Sequence, residues 1–160
     1  MPIDLVVANN RLIFLTANDW AILNARARRH SYHLGEEIIC EGAFGDRICI
    51  IRQGEASVEL AGTGKRAILA TLGPDDICGD MAFLERGNAT AAVVARDTEV
   101  QTDEILASDL REIFESFPRL AYRFYLSLST VLARRLRDTS RALASEMMAA
   151  DRRRGKIHRS

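Results

Sequence analysis

Residues 41–58 read EGAFGDRICIIRQGEASV. A turn, Gly42-Ala43-Phe44-Gly45-Asp46, leads into the apolar run Ile48-Cys49-Ile50-Ile51. Gln53-Gly54-Glu55 then breaks that run before Ala56-Ser57-Val58. Short β-prone runs bounded by glycine read as strand, tight turn, strand. Glycine suits such turns because it takes positive φ without a Cβ penalty.

The same texture extends over residues 34–106. The β-prone runs are EEIIC, RICIIR, ASVEL, RAILATL, DIC, ATAAVVA and TEVQTDEI. The breaks between them are EGAFGD, QGE, AGTGK, LGPDD and LERGN, with Gly62-Thr63-Gly64 as a hairpin tip. Short strands at regular spacing argue for an antiparallel sandwich or barrel.

Helical signals flank this region. Thr16, with Asp19 three residues on, makes a capping-box variant, and the helix it starts is expected to reach about residue 30. Trp20, Leu23 and Ala27 share one face of it. After residue 107, Ser108 or Asp109 is expected to cap a short helix, LREIFESF, and Pro118 to open a long one. Tyr125, Leu128, Leu132, Leu136, Thr139, Leu143 and Met147 recur at helical spacing. A barrel this small does not cover so long a stripe, so the distal half is expected to pair with its own copy in a two-fold dimer.

With 160 residues, 48% of them hydrophobic and 28% charged, the chain has the profile of one soluble domain. No apolar run is long enough to cross a membrane. The N-terminus shows no basic region before its short apolar run, which predicts a cytoplasmic protein. The odd cysteine count (Cys40, Cys49, Cys78), without a C-x-x-C pair, predicts free, buried thiols. Net charge is zero, but residues 1–119 carry 12 basic and 19 acidic residues, against 10 basic and 3 acidic in residues 120–160. The chain ends DRRRGKIHRS, read as a flexible basic tail over 146–160.

Two segments together resemble the cyclic nucleotide-binding domain of bacterial catabolite-activator-type regulators and protein kinase A regulatory subunits. The first is residues 35–58, with its Gly-x-x-Gly-Asp turn. The second is Gly79-Asp80-Met81-Ala82-Phe83 through Ala89-Thr90-Ala91-Ala92-Val93, which resembles the phosphate-binding cassette. The resemblance spans about residues 12–145. It implies a mainly β fold with flanking helices: an eight-stranded antiparallel jelly roll, an N-terminal helix, and a long C-terminal helix from about 118. It also implies a cyclic nucleotide, cAMP or cGMP, as ligand.

The resemblance implies that Gly79, Met81 and Ala82 build the backbone cradle for the phosphate, as helix N-termini do for anions. Asp80 stands where the family's glutamate meets the ribose hydroxyl and is one methylene shorter. Thr90 stands where its arginine pairs with the phosphate, and Ala91 follows. Losing one partner of a desolvated charge pair costs about 2–5 kcal/mol, or roughly 30- to 3,000-fold in affinity. Arg86 and Arg96 are the nearby candidates to replace that charge. Thr139-Ser140 on the long helix matches the pair that meets the purine in the bacterial regulators.

The expected function is therefore a non-enzymatic sensor with weak or altered cyclic nucleotide binding. It would act as a homodimer through the long helix and signal to an effector protein. The alternative is a ligand-free dimerisation or docking module whose pocket is plugged, with Met81 and Phe83 as the filling side chains. A fragment of a transcription regulator ranks below both, because the roughly ten residues after the helix form no DNA-reading domain, and no sequence-specific DNA binding is expected. No histidine falls in 34–106 to build a cupin-type metal site, and no nucleophile–base constellation or other catalytic or metal site is seen.

Overall fold

The computed structural model describes residues 10–157. Helix α1 (Ala17–Arg26) precedes strands β1 (Arg28–His33), β2 (Glu37–Ile39), β3 (Arg47–Gln53), β4 (Ala56–Leu60), β5 (Ala67–Leu72) and β6 (Ile77–Cys78). Helix α2 (Asp80–Glu85) is followed by β7 (Ala92–Ala95), β8 (Glu99–Leu106), α3 (Ala107–Ser116) and α4 (Pro118–Ile157). The strands form two four-stranded antiparallel sheets, ordered β1-β8-β3-β6 and β2-β7-β4-β5. This is the mainly β, jelly-roll architecture with flanking helices that the sequence predicts.

Two cores follow from the alternation of side chains along each strand. Between the sheets pack Ile38, Cys49, Ile51, Ala56, Leu72, Cys78, Val93 and Val100. On the other face of the first sheet, Ile48, Ile77 and Ile105 meet Leu23 of α1, Leu110 of α3 and Phe124 of α4. The first sheet is thus buried on both faces. The outer face of the second sheet carries Ser57 and Glu59, because Ala56 and Val58 turn inward.

Several sequence expectations change. The capping box forms as read, with Asp19 N–H donating to Thr16 Oγ1 (3.1 Å) and Thr16 N–H donating to Asp19 (3.0 Å). The helix ends at Arg26, however, and residues 28–33 become β1, paired along their whole length with β8. RRHSYH has almost no buried position, so no apolar alternation announces a strand. The strand forms because β8 needs an edge partner. His30 and His33 therefore do belong to the barrel, yet no metal-ligand cluster exists among the described residues.

Helix α3 starts at Ala107 with Leu106 as its N-cap, not at Ser108 or Asp109. The Ala107 N–H instead donates to Asp46 O (2.7 Å), which replaces a side-chain cap. Cys40 is exposed, while Cys49 and Cys78 are buried. Helix α4 continues through residues 146–157, where the sequence suggested a flexible tail. The Ala- and Met-rich stretch before Asp151 favours helix. The N-terminal reading, residues 158–160 and His158 lie outside the described residues. No described helix is long and apolar enough to cross a membrane.

Candidate functional site

The two motifs that carry the family resemblance form one physical unit. Gly42 N–H donates to Ala89 O (2.7 Å), Ala89 N–H to Ala43 O (2.7 Å) and Gly45 N–H to Gly87 O (2.9 Å). A β-bridge joins Phe44 to Asn88. The Gly42–Asp46 turn therefore clasps the loop between α2 and β7. Gly42 has φ +83°, as the turn reading requires. Gly45 is glycine for another reason: a Cβ there would lie 2.5 Å from Ala82 Cβ, against the cassette helix itself.

Gly79 opens the cassette at φ 81°, ψ 2°, the left-handed region. A Cβ on it would stand 2.8 Å from Arg47 O and 3.2 Å from Ile39 Cδ1. Conformation and space both demand glycine. Helix α2 follows directly, so the N–H groups of Asp80, Met81 and Ala82 have no intrahelical acceptor. Ala82 is buried and Met81 is 44% exposed. Phe83 packs into the helical core, edge-on to Phe124 at 6.4 Å. Neither Met81 nor Phe83 fills the space between the sheets, contrary to the plugging role the sequence allowed them.

Thr90 is exposed and Ala91 half-buried at the entry to β7. Arg86 is exposed at the C-terminal end of α2, at φ 51°. Arg96 lies on the outer face of the second sheet, where it pairs with the buried Glu59 and donates to Ser57 Oγ (2.8 Å).

The feature that sequence reasoning missed is Arg135. Its guanidinium takes both carboxylate oxygens of Asp80, at 2.8 and 3.3 Å. Nε donates to Asn10 Oδ1 (2.7 Å) and Nη2 to Ile77 O (3.4 Å). Asp80 is 3% exposed. One arginine of α4 thus ties together the cassette, β6 and the segment before α1. The partners are 55 and 125 residues apart, so no local pattern marks the contact. Thr139 lies one turn beyond Arg135 on the same helical face, and Thr139 and Ser140 are both exposed.

The inter-sheet space also holds a polar cluster. Tyr32 donates to Glu104 (2.5 Å), Thr102 Oγ1 does so at 3.1 Å, and Arg47 Nε stands 3.0 Å from the same carboxylate. Burial, then the bond to Glu104, pushes the Tyr32 phenol above its ordinary range.

A separate cleft of about 510 Å³ lies on the helix-covered side, lined by Trp20, Asn24, Arg29, Arg52 and Asp103 among others. Burial raises the Asp103 carboxyl, but Arg29 and Arg52 outweigh it and hold it below the ordinary range. Those arginines pair with Asp103, and Arg52 also with Asp75, so the cleft is lined by an ion-pair network.

A family profile described as "Cyclic nucleotide-binding domain" matches residues 29–117. The chain belongs to the cyclic nucleotide-binding domain family. It is 32% identical over 125 residues to cyclic GMP-binding protein C of Dictyostelium discoideum, covering 78% of this chain and 5% of that protein. It is 31% identical over 115 residues to the cyclic AMP receptor protein of Thermus thermophilus, covering 69% of this chain and 50% of that protein. The solved cyclic nucleotide-binding domain from Methylobacillus flagellatus superposes with a TM-score of 0.76 at 19% identity, over 82% of this chain and 74% of that one, which speaks to the fold. The chain spans about half or less of the length of the curated relatives it matches.

Proposed function

We propose that this cyclic nucleotide-binding domain is a non-enzymatic sensor module whose cradle takes a cyclic nucleotide, cAMP or cGMP. Gly79, Met81, Ala82 and Ala91 meet the phosphate through backbone N–H groups, and Thr90 contributes a neutral hydroxyl where a charge would grip harder. Asp80 faces the ribose, and Thr139 with Ser140 the purine. Two copies pair through the distal half of α4, where Leu136, Leu143 and Met147 leave an apolar stripe exposed. An effector protein reads the orientation of that helix.

The observation that carries this reading is the grip of Arg135 on the buried Asp80. It makes the cassette and α4 one mechanical unit, so a ligand that engages Asp80 competes with or reinforces a bond to the helix. The shift in helix position is bounded by the ligand's differential affinity for the two arrangements. The exposure of Met81 and the burial of Phe83 in the helical core weigh against a ligand-free module with a plugged pocket.

Calorimetric titration with cAMP and cGMP up to millimolar, on the wild type and Thr90→Arg, tests the reading. Saturable binding by either protein, tighter in Thr90→Arg, is expected. Silence from both proteins would overturn it.

A further inference from the structure

The cradle lacks a cation at position 90, and an anionic ligand in a partly closed site needs one. We propose that Arg47 supplies it, meeting the phosphate from β3, the strand behind the cassette, instead of from the cassette. This rests on the reading of the cradle as a cyclic nucleotide site.

The face is fixed by alternation. Cys49 and Ile51 of β3 point into the inter-sheet core, so Arg47, two residues before Cys49, points there too. Its Nη2 crosses to the opposite sheet and donates to Ile38 O (2.7 Å). The neighbouring Ile39 is the residue whose side chain bounds Gly79, together with Arg47 O. Arg47 therefore has its backbone against Gly79, which opens the cassette, and its guanidinium in the inter-sheet space on Ile38 O, one residue from Ile39.

Its bonds leave capacity. An arginine offers five N–H donors. Besides Ile38 O, Arg47 meets Asp46 Oδ1 at 3.3 Å. Its Nε is buried beside Glu104 at 3.0 Å, yet no acceptor is aligned with that N–H. The attraction there is one of charge, without a well-directed hydrogen bond. Glu104 does not depend on it, because Tyr32 and Thr102 donate to Oε1 and His30 Nδ1 lies 3.3 Å from Oε2. Turning Arg47 from Glu104 towards a phosphate exchanges one anion for another and leaves the carboxylate with partners. The other arginines around the cradle are placed elsewhere: Arg135 on Asp80, Arg96 on the outer face, and Arg86 in solvent.

The test is a calorimetric titration of cAMP and cGMP against the wild type, Arg47→Gln, Arg47→Lys, Glu104→Gln, Thr90→Arg and the Arg47→Gln/Thr90→Arg pair. Each variant is checked by denaturant unfolding for a native baseline. Arg47→Gln is expected to weaken binding by about 30-fold or more. Arg47→Lys keeps most of the affinity, and restoring a charge at position 90 rescues the Gln variant. Glu104→Gln removes the competing anion and tightens binding, an effect opposite in sign to that of a merely structural pair. Adenosine and guanosine, which carry no phosphate, bind alike to the wild type and Arg47→Gln.

Equal affinity of the wild type and Arg47→Gln overturns the proposal, as does weaker binding by Glu104→Gln. Binding that emerges only with Thr90→Arg leaves the cradle reading intact and overturns the role of Arg47. Silence from every protein, Thr90→Arg included, removes both.

Discussion

Helix α4 grips a buried aspartate twice, at Arg123 and again twelve residues on at Arg135, and the two grips serve different ends. Arg123 holds Asp19 through both oxygens, at 2.6 and 2.7 Å. Asp19 is also the third residue of α1, where it completes a capping box and accepts the Thr16 N–H. Arg135 holds Asp80 less evenly, at 2.8 and 3.3 Å. Asp80 begins a six-residue helix whose N-cap, Gly79, offers no side chain. The first aspartate is fastened by helix, cap and arginine together. The second is fastened by the arginine alone and stands in the proposed cradle. The same pair of side chains makes a rivet where every other bond agrees with it, and is expected to make a releasable link where few do.

The largest effect that sharpens this contrast is expected at the rivet. Asp19→Ala removes the carboxylate half of the capping box and leaves Arg123 without its anion, costing about 3 kcal/mol of folding stability by denaturant melts. A loss below about 1 kcal/mol would put the pair in the class of surface bridges and erase the contrast.

The same pair sets an acid limit. The bonds from Arg123 hold the Asp19 carboxyl down at about 2. Its contribution is therefore full above the unfolded-state value of about 4 and is lost as pH falls towards 2. Unfolding curves between those pH values should steepen this decline in the wild type and flatten it in Asp19→Asn. A variant that keeps the wild-type slope would assign the acid sensitivity to other carboxylates.

Asp80→Asn should cost less, about 1–2 kcal/mol, because a hydrogen-bonding group remains and no cap is lost. Its signature should be geometric: a spin-label or fluorescence distance between α4 near Leu136 and the cassette loop should broaden. An unchanged distance distribution would make Asp80 a second rivet.

The two halves of α4 provide a fourth comparison. Leu120, Phe124, Leu128 and Val131 are buried, whereas Leu136, Leu143 and Met147 are mostly exposed. Leu128→Ala should cost about 2–5 kcal/mol in the fold. Leu143→Glu should leave monomer stability within about 0.5 kcal/mol while abolishing the dimer in sedimentation equilibrium. A wild type that sediments as a monomer would remove the distal stripe from the proposed mechanism.

The smallest effect is expected at Arg26, whose bridges to Asp109 and Glu112 are largely exposed. Asp109→Ala should change stability by about 0.5 kcal/mol or less. A larger loss would show that exposed and buried grips differ less here than their burial suggests.

Much of the fold was legible in the chain because its cues are local. Glycines at 42, 54 and 64 sit at positive φ, the Thr16–Asp19 box starts α1, and Pro118 opens α4. The strand runs from β2 to β8 could be read because short apolar stretches alternate with turn residues. β1 could not, since its residues are exposed and charged and owe their conformation to the backbone of β8. By motif spacing the sequence singled out Gly79 through Ala82 and the uncharged Thr90 as a candidate cradle. It gave no sign that Gly45 is small to admit Ala82, that Phe83 belongs to the helical core, or that Arg135 reaches Asp80.

The sequence by itself determined the strand-and-turn rhythm and the starts of α1 and α4, since each depends on residues within a few positions of one another. The tertiary structure alone decided which arginine meets which carboxylate. The pairs that hold Asp19 and Asp80 join chain segments 104 and 55 residues apart, and a charged side chain reads the same in sequence whether solvent or an aspartate awaits it.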